Sequence, residues 1–143
     1  MIRTSGAKLY FYSTTNPVAG ATTLIVGHRY HVCYQAGPNG RAIYMTDLTA
    51  GTSGVRDGYL AVPSAGAPGT KTFYLRQFDA AGTYAFGDGY GVDELAIFAS
   101  ERYSGTTYTA PSGPFTGSEP DLVALYHLDE TTGATVIADA VAA

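Results

Sequence analysis

The sequence contains no tryptophan, one cysteine and few charged residues among its 143 positions. A single cysteine excludes an intrachain disulfide, and Cys33 is best interpreted as a small apolar residue of a core. No apolar run approaches the ~18 residues that a membrane-spanning helix needs, and the first residues lack the apolar centre of a secretory signal peptide. We therefore expect no membrane partner and no secretion signal.

Charged residues make up 14% of the chain, compared with about 25% in typical soluble domains. The formal net charge of −4 provides no basic surface for phosphate groups, so nucleic acid is excluded as an expected partner. Gly, Ser, Thr and Tyr take the place of the charged residues, with 18 glycines and 12 tyrosines. Tyrosine suits the pleated surface of a sheet and glycine suits turns, so the composition predicts an all-β protein.

Short β-like runs recur along the chain between segments rich in Gly, Pro and Asn. No longer segment combines a helical hydrophobic period with capping residues. Runs of this kind predict an antiparallel β-sandwich or barrel. The predicted strands cover residues 8–13, 22–26, 28–35, 41–47, 59–62, 72–78, 92–98 and 122–128.

The third and fourth runs predict a hairpin that is closed by the loop AGPNG. The Pro, Asn and Gly of this loop suit a hairpin connection of five residues. Side chains alternate between the two faces of a strand. One face of the hairpin should therefore carry Tyr30, Val32, Tyr34, Ile43 and Met45.

Two stretches of the sequence resemble motifs of a known family. Residues 27–32 (GHRYHV), together with residues 43–47 (IYMTD) after the turn, are similar to a hairpin of laminin-G-like, concanavalin A-like jelly-roll domains. Residues 91–98 (GVDELAIF) resemble a late strand of the same domains. The resemblance extends over about residues 8–103. It implies an antiparallel β-sandwich with the topology of a jelly roll.

The end of the chain resembles the strands that open such a domain. Residues 122–130 (LVALYHLDE) carry this likeness, which implies permuted or swapped C-terminal strands. We expect a sandwich core at residues 1–103, a connector rich in Gly, Pro, Ser and Thr at 104–120, and a strand-forming arm at 121–143. The arm would complete its own sandwich or that of a neighbouring subunit. Its assembly residues would be Leu122, Val123, Leu125, Tyr126 and Leu128.

Two adjacent carboxylates, Asp93 and Glu94, stand in an otherwise apolar run. Neighbouring side chains on a strand point to opposite faces, so the pair cannot act as acid and base on one bond. Concanavalin-like glycosidases carry an E-x-D-x-E strand, and this sequence has no such triplet. We interpret the pair as a structural feature that satisfies backbone donors at a strand end. The sequence thus predicts no catalytic residue and no enzymatic activity.

Calcium is the only cofactor that the sequence suggests. Asp79, Asp88 and Asp93 cluster around the segment FGDGYG, and Ca²⁺ takes about 6 to 8 oxygen ligands. A solvated acidic loop explains the same cluster without a metal, and the EF-hand pattern is absent. Zinc is not expected, because His28 and His31 would face opposite sides of a strand and no further ligand is evident.

Tyrosines near loops are the candidates for an exposed contact. An aromatic face with a hydroxyl group can stack on a sugar ring and also form a hydrogen bond. The alternative is that tyrosines of the strands are half-buried packing residues. The candidate binding residues are Tyr84, Tyr90, Tyr103 and Tyr108.

Two functions from different classes fit these observations. The first is a non-catalytic structural protein of a virion surface, since a capsid decoration or cement protein reaches the exterior by lysis rather than by secretion. Its partners would be capsid subunits, and it would form a homodimer or homotrimer. The alternative is a carbohydrate-binding, lectin-like module of a larger secreted or adhesion protein, which would be extracellular and bind a glycan. Both expectations depend on likeness of fold, which does not determine function.

Overall fold

The computed structural model describes residues 2–5, 8–11, 17–62, 92–129 and 139–141. The regular secondary structure of these residues consists of β-strands, without a helix. The strands are β1 (Ile2–Ser5), β2 (Lys8–Phe11), β3 (Val18–Thr23), β4 (Tyr30–Gly37), β5 (Gly40–Asp47), β6 (Gly54–Leu60), β7 (Leu95–Phe98), β8 (Thr107–Tyr108) and β9 (Leu122–Tyr126). They form three open sheets with the orders β1-β2-β3, β4-β5-β6-β8 and β7-β9. Every pairing is antiparallel. The predicted all-β, antiparallel class is therefore confirmed for these residues.

The described residues fall into two compact units. The first unit contains the three-stranded and four-stranded sheets and consists of residues 2–5, 8–11, 17–62 and 103–110. The second unit contains the β7-β9 sheet and consists of residues 92–102, 111–129 and 139–141. The predicted domain boundaries at residues 103 and 120 stay a prediction. The strand predicted at residues 72–78 lies outside the described part of the chain.

The predicted hairpin is present in the first unit as β4 and β5. Its register pairs Val32 with Met45 and Tyr34 with Ile43, which confirms the predicted apolar face. The connection is shorter than the five residues expected, because β4 continues to Gly37 and β5 begins at Gly40. Gly40 has φ +118°, a backbone conformation that glycine adopts without a steric penalty. Pro38 and Asn39 alone thus form the turn.

The apolar face of this hairpin packs against the β1-β2-β3 sheet. Leu9 and Val18 from that sheet form a buried cluster with Ile43 and Met45. Complete burial of an aliphatic side chain of this size contributes roughly 1.5–3 kcal/mol, so this cluster is a main source of stability for the first unit. The residues that pack around it are Phe11, Leu24, Tyr30, Tyr34 and Leu60.

Strand β3 lies earlier in the chain than the run predicted at residues 22–26. After it, the N–H of His28 donates to the carbonyl of Ile25 at 3.2 Å and closes a turn. Gly27 has φ +84°, as the third residue of a type II turn requires. The apolar residues Ile25 and Val26 belong to this turn and not to a strand, which explains the incorrect prediction.

The carboxylate of Asp57 on β6 binds β3 where the pairing of β2 with β3 is irregular. The β2-β3 register shifts between Lys8 and Tyr10, and Thr22 donates both its backbone N–H and its hydroxyl to Asp57 Oδ1. Asp57 is 7% exposed. A Cβ atom at Gly20 would overlap Asp57 Oδ2. The absence of a side chain at position 20 therefore makes room for the carboxylate.

The second unit is built on the pairing of β7 with β9. Leu95 lies opposite Tyr126, and Ala96 lies opposite Leu125. On the side away from β7, Leu125 donates its N–H to Asp139 Oδ1 at 3.0 Å and accepts the N–H of Ala140 at 2.7 Å. At Leu125, strand β9 is thus hydrogen-bonded on both of its sides.

None of the described residues belongs to a helix that is long and apolar enough to cross a membrane.

Candidate functional site

The face of the four-stranded sheet opposite the core carries a group of polar and aromatic side chains, which we name the tyrosine cluster. Strand β4 contributes His31, and β5 contributes Tyr44 and Thr46 next to it in the ladder. Tyr103 and Tyr108 of the first unit complete the cluster through ring contacts and hydrogen bonds. Successive side chains of a strand point to opposite faces. His31, Tyr44 and Thr46 each adjoin a residue that faces the core, so they lie together on the other face.

The segment that carries Tyr103 and Tyr108 is held on the sheet by side-chain contacts to its backbone. The Gln35 amide donates to the Tyr103 carbonyl at 2.6 Å and accepts the Tyr103 N–H at 3.0 Å. The Tyr44 hydroxyl donates to the Gly105 carbonyl at 3.1 Å. Gly54 lies opposite Tyr108 in the β6-β8 pairing, where a Cβ atom would meet the Tyr108 ring. These contacts fix the positions of both rings.

The aromatic rings of the cluster are in mutual contact. The centroids of Tyr103 and Tyr108 are 4.4 Å apart with an interplanar angle of 47°. Tyr44 lies 5.4 Å from Tyr103 and 5.5 Å from Tyr108, within the range of favourable aromatic pairs. Tyr44 is only 2% exposed, whereas Tyr103 and Tyr108 are half-buried. The two outer rings are therefore the part of the cluster that a ligand or reagent can reach.

The Tyr108 hydroxyl is the hydrogen-bonding centre of the cluster. It accepts the Thr46 hydroxyl proton at 2.8 Å and lies 2.9 Å from His31 Nδ1. Burial raises the pKa of Tyr108 to about 12, and burial lowers the pKa of His31 below its ordinary value. Both groups are consequently neutral near pH 7, and the pair consists of a phenol and an uncharged imidazole.

The structure brings two of the four predicted binding residues together. Tyr103 and Tyr108 are in contact, while Tyr84 and Tyr90 lie outside the described residues. The prediction did not include His31, Tyr44 or Thr46. Strand alternation places His31 and Thr46 on the face opposite the apolar residues. The hairpin pattern therefore indicated the face of the sheet on which they lie, but not their contact with Tyr108.

The predicted calcium site is only partly within the described structure. Asp93 is exposed, and Asp79 and Asp88 lie outside the described residues. Among the residues described, no group of three or more His, Cys, Asp or Glu side chains is arranged to hold a metal ion. His28 Nδ1 lies 2.7 Å from Asp47 Oδ2, separate from the His31 contact with Tyr108. Calcium binding stays a prediction.

Glu94 has the backbone-binding role that was predicted for the carboxylate pair. Its two oxygens lie 3.3 and 3.2 Å from the N–H of Phe115, which donates to them. Glu94 Oε2 is also 3.1 Å from His127 Nδ1. Both carboxylates precede β7, which begins at Leu95. The strand predicted at residues 92–98 was therefore too long at its start by three residues.

The predicted arm residues differ in their burial. Leu125 is completely buried and Val123 is 56% exposed, while Leu122 and Tyr126 are half-buried. Leu128 lies beyond the end of β9 with φ +58°, so the strand is shorter than the predicted run at residues 122–128. The arm's pairing with β7 is within the same chain.

Exposed apolar side chains occur on two segments that meet one end of the β4-β5 hairpin, the turn after β3 and the residue after β5. Ile25 is 55% exposed, Val26 is 88% exposed and Leu48 is 45% exposed. The N–H of Leu48 donates to the Arg29 carbonyl at 2.9 Å, which continues the hairpin ladder towards the turn that contains Ile25 and Val26. We name Ile25, Val26 and Leu48 the apolar corner.

Comparisons of the chain with protein-family models, with curated proteins and with solved structures found no match.

Proposed function

We propose that the protein is a non-catalytic structural component that binds neighbouring protein subunits, as a decoration or cement protein of a virion surface. The partners are capsid subunits, and the protein itself forms a homodimer or homotrimer. The composition supports this role. Only 14% of the residues are charged, and the cores of protein–protein interfaces are likewise poor in charged residues and rich in aromatic ones.

The apolar corner is the observation that carries the proposal. Tips of turns are usually occupied by Gly, Pro, Asn, Asp or Ser, yet Val26 occupies this tip with 88% of its surface exposed. Such a side chain contributes little to the core of its own chain. Apolar groups exposed together mark sites of association, whereas single exposed ones need no explanation.

The topology of the β-sandwich is part of the same proposal. We infer a laminin-G-like, concanavalin A-like jelly roll, supported by the register of β4 with β5 and by the β1-β2-β3 sheet that packs on their apolar face. The pairing of β9 with β7 supports an arm that acts within its own subunit.

Sedimentation velocity of the purified chain tests the role of the apolar corner. Wild-type protein is expected to sediment as a dimer or trimer and Val26→Asp as a monomer, since the change places a charge in the contact. The circular dichroism spectrum of Val26→Asp should match that of wild type, which shows that the subunit itself is still folded. Val62→Asp is the matched control, because Val62 is 39% exposed and follows β6 at the opposite end of the sheet. An oligomer that persists in Val26→Asp contradicts the proposal.

A carbohydrate-binding, lectin-like module is the second candidate, and the tyrosine cluster favours it. The half-buried rings of Tyr103 and Tyr108 offer apolar faces with polar groups beside them, as sugar rings require. Binding of the protein to an array of immobilised glycans tests this function. Tyr103→Ala should abolish binding, and Tyr59→Ala, a change at a tyrosine that is 47% exposed, should not. An array without any bound glycan contradicts this candidate.

A further inference from the structure

We propose that Tyr103 and Tyr108 form a site of oxidative cross-linking, in which His31 accepts the phenolic proton of Tyr108. The product is a dityrosine bond within one chain. The inference is independent of the proposed structural role, because it depends only on the tyrosine cluster of the first unit. A chain with one cysteine has no intrachain disulfide, so a dityrosine is a covalent link that this sequence can form.

The first requirement is proximity of the two rings. Their centroids are 4.4 Å apart, so the ring edges approach van der Waals contact. The Gln35 amide holds the backbone at Tyr103, and the β6-β8 pairing holds Tyr108. Two reactants held at contact distance combine much faster than freely diffusing groups, because the entropic cost of their encounter is already met.

The second requirement is an acceptor for the phenolic proton, since a phenol that loses an electron becomes strongly acidic. The Thr46 hydroxyl donates to Tyr108, so the proton of Tyr108 points to another acceptor. His31 Nδ1 is at 2.9 Å and the His31 carbonyl is at 3.4 Å, and only the nitrogen is within the distance for proton transfer. Burial lowers the pKa of His31, so the imidazole is neutral, and in the tautomer with its proton on Nε2 the nitrogen Nδ1 is free to accept.

The third requirement is selectivity over competing tyrosines, and Tyr44 and Tyr59 of the first unit provide the comparison. The Tyr44 hydroxyl donates to the backbone carbonyl of Gly105, and the Tyr59 hydroxyl donates to the carbonyl of Asn39. Carbonyl oxygens are far weaker bases than imidazole. Tyr59 is more exposed than the half-buried Tyr108, so accessibility alone would direct an oxidant to Tyr59, whereas the His31 contact directs reaction to Tyr108.

The chemical step requires a one-electron oxidant from outside the protein, such as a metal-centred or peroxidase-type oxidant. Tyr108 loses one electron to the oxidant and its proton to His31 Nδ1, and the oxidant is reduced by one electron. A second oxidant molecule takes an electron from Tyr103, whose proton passes to water. The two phenoxyl radicals form a carbon–carbon bond between positions ortho to the hydroxyls. Each ring carbon at the new bond then loses its hydrogen as a proton while each oxygen takes up a proton, which restores both phenols. His31 releases its proton to solvent, so the net loss is two electrons and two protons, and the chain is lighter by two hydrogen atoms.

Peptide mass spectrometry of the full chain tests the proposal. Dilute protein is oxidised with photochemically generated tris(bipyridine)ruthenium(III), and the monomer fraction is digested with trypsin. No Lys or Arg follows Arg102, so Tyr103 and Tyr108 remain in one peptide, residues 103–143. We expect this peptide to lose the mass of two hydrogen atoms and to give no backbone fragments between the two tyrosines, together with dityrosine fluorescence. Unlinked residues 103–143 alongside oxidised Tyr59 would overturn the proposal.

Variants separate the site from general tyrosine oxidation. Tyr103→Phe and Tyr108→Phe should each abolish the monomer's dityrosine fluorescence, and Tyr59→Phe should leave it unchanged. Equal fluorescence in all three variants contradicts the assignment. If a variant does not fold, the peptide mass spectrometry of the wild-type protein decides whether Tyr103 and Tyr108 are cross-linked.

His31→Ala tests the proton acceptor. The initial rate of dityrosine formation should fall about tenfold. This loss is smaller than the usual contribution of a positioned general base, because water can accept the proton when His31 is absent. Added imidazole should restore part of the rate, which a purely structural role of His31 would not explain. His28→Ala is the matched control, since His28 contacts Asp47 instead. An unchanged rate in His31→Ala, or a loss that imidazole does not relieve, removes His31 from the proposal.

Discussion

Several acidic residues of this chain accept backbone N–H groups that have no partner in the strand ladders. Asp47 accepts the N–H groups of Thr49 and Ala50, and Glu94 accepts that of Phe115. Glu119 and Asp139 have the same role in the second unit. A carboxylate satisfies such donors better than a neutral acceptor, because charge-assisted hydrogen bonds are stronger. These acids therefore serve the fold, as was predicted for Glu94 from the sequence.

Acid should destabilise the protein through these carboxylates. Hydrogen bonds from Thr116 lower the pKa of Glu119, and hydrogen bonds from Leu125 and Val141 lower the pKa of Asp139. A lowered folded-state pKa gives stability that is complete above the unfolded value of about 4 and is lost as pH falls through the folded value. We expect the melting temperature to decline most steeply below about pH 4.

Thermal melts followed by circular dichroism across this pH range provide the measurement. Asp139→Asn is the informative variant, because an amide oxygen still accepts the N–H of Leu125 but does not titrate. Its acid decline should be shallower than that of wild type. Melting temperatures that stay constant into the acid range, or a decline identical in both proteins, would show that these carboxylates contribute nothing.

Gly20 should be intolerant of alanine. Its Cβ would overlap Asp57 Oδ2 and come within 3.2 Å of the Leu9 carbonyl, and Asp57 is buried and bonded to Thr22. We expect Gly20→Ala to reduce the free energy of unfolding by about 1–3 kcal/mol, as overpacking does. Gly113→Ala is the control, since nothing lies within 4 Å of its Cβ position. Urea denaturation that finds equal stability in the two variants would contradict the tight contact.

At the scale of elements, local patterns predicted the β4-β5 hairpin and its apolar face. Tyr30, Val32 and Tyr34 stand at alternate positions of the sequence, and the register confirms that they share one face. The run at residues 22–26 was misplaced, because its apolar residues belong partly to a turn with Gly27 at φ +84°. The two-residue strand β8 offered no periodic pattern. Short or irregular strands depend on distant partners, and local sequence does not contain that information.

The tyrosine cluster was predictable only in part, for the same reason. Tyr103 and Tyr108 were recognised as candidates by their place near loops. The contact of Tyr108 with His31 joins residues 77 positions apart, which the β6-β8 pairing and the bonds of Gln35 to Tyr103 bring together. A local pattern assigns each residue to a face, but the partner across the sheet depends on the topology.

Two positions of β9 should respond differently to truncation of the side chain. Leu125 is completely buried and Val123 is 56% exposed. Leu125→Ala should therefore lower the free energy of unfolding by about 2–5 kcal/mol through a cavity in the core. Val123→Ala should change it by no more than about 0.5 kcal/mol. Chemical denaturation curves of both variants give the comparison, and similar losses at the two sites would show that β9 is not packed as described.

Removal of the whole arm is the stronger test of this element. A chain that ends at Gly117 lacks β9, which leaves β7 without its partner and exposes apolar residues such as Leu95 and Phe98. An unpaired strand edge promotes aggregation, so we expect an unfolded or aggregating product, or loss of the oligomer. Size-exclusion chromatography and circular dichroism provide the readout. A truncated chain that stays soluble, folded and in its native assembly state would contradict the role of the arm.

At the scale of the whole molecule, the proposals place recognition on two separate parts of the first unit. The apolar corner at the turn after β3 is proposed to bind protein, and the tyrosine cluster lies on the outer face of the β4-β5-β6-β8 sheet. Variants of Val26 should alter association without changing dityrosine formation. Variants of Tyr108 should have the opposite effect. The two functions can thus be tested separately in one protein.

Association with virus particles tests the central claim most directly. Particles from the natural source of the protein would be purified on a density gradient, and each fraction would be analysed by quantitative peptide mass spectrometry and by gold-labelled antibodies against this chain. The account predicts that the chain sediments with intact capsids at a constant ratio to the major capsid subunit, with label on the outer surface. Recovery of the chain only in the soluble fractions, with unlabelled particles, would contradict a structural role at the virion surface.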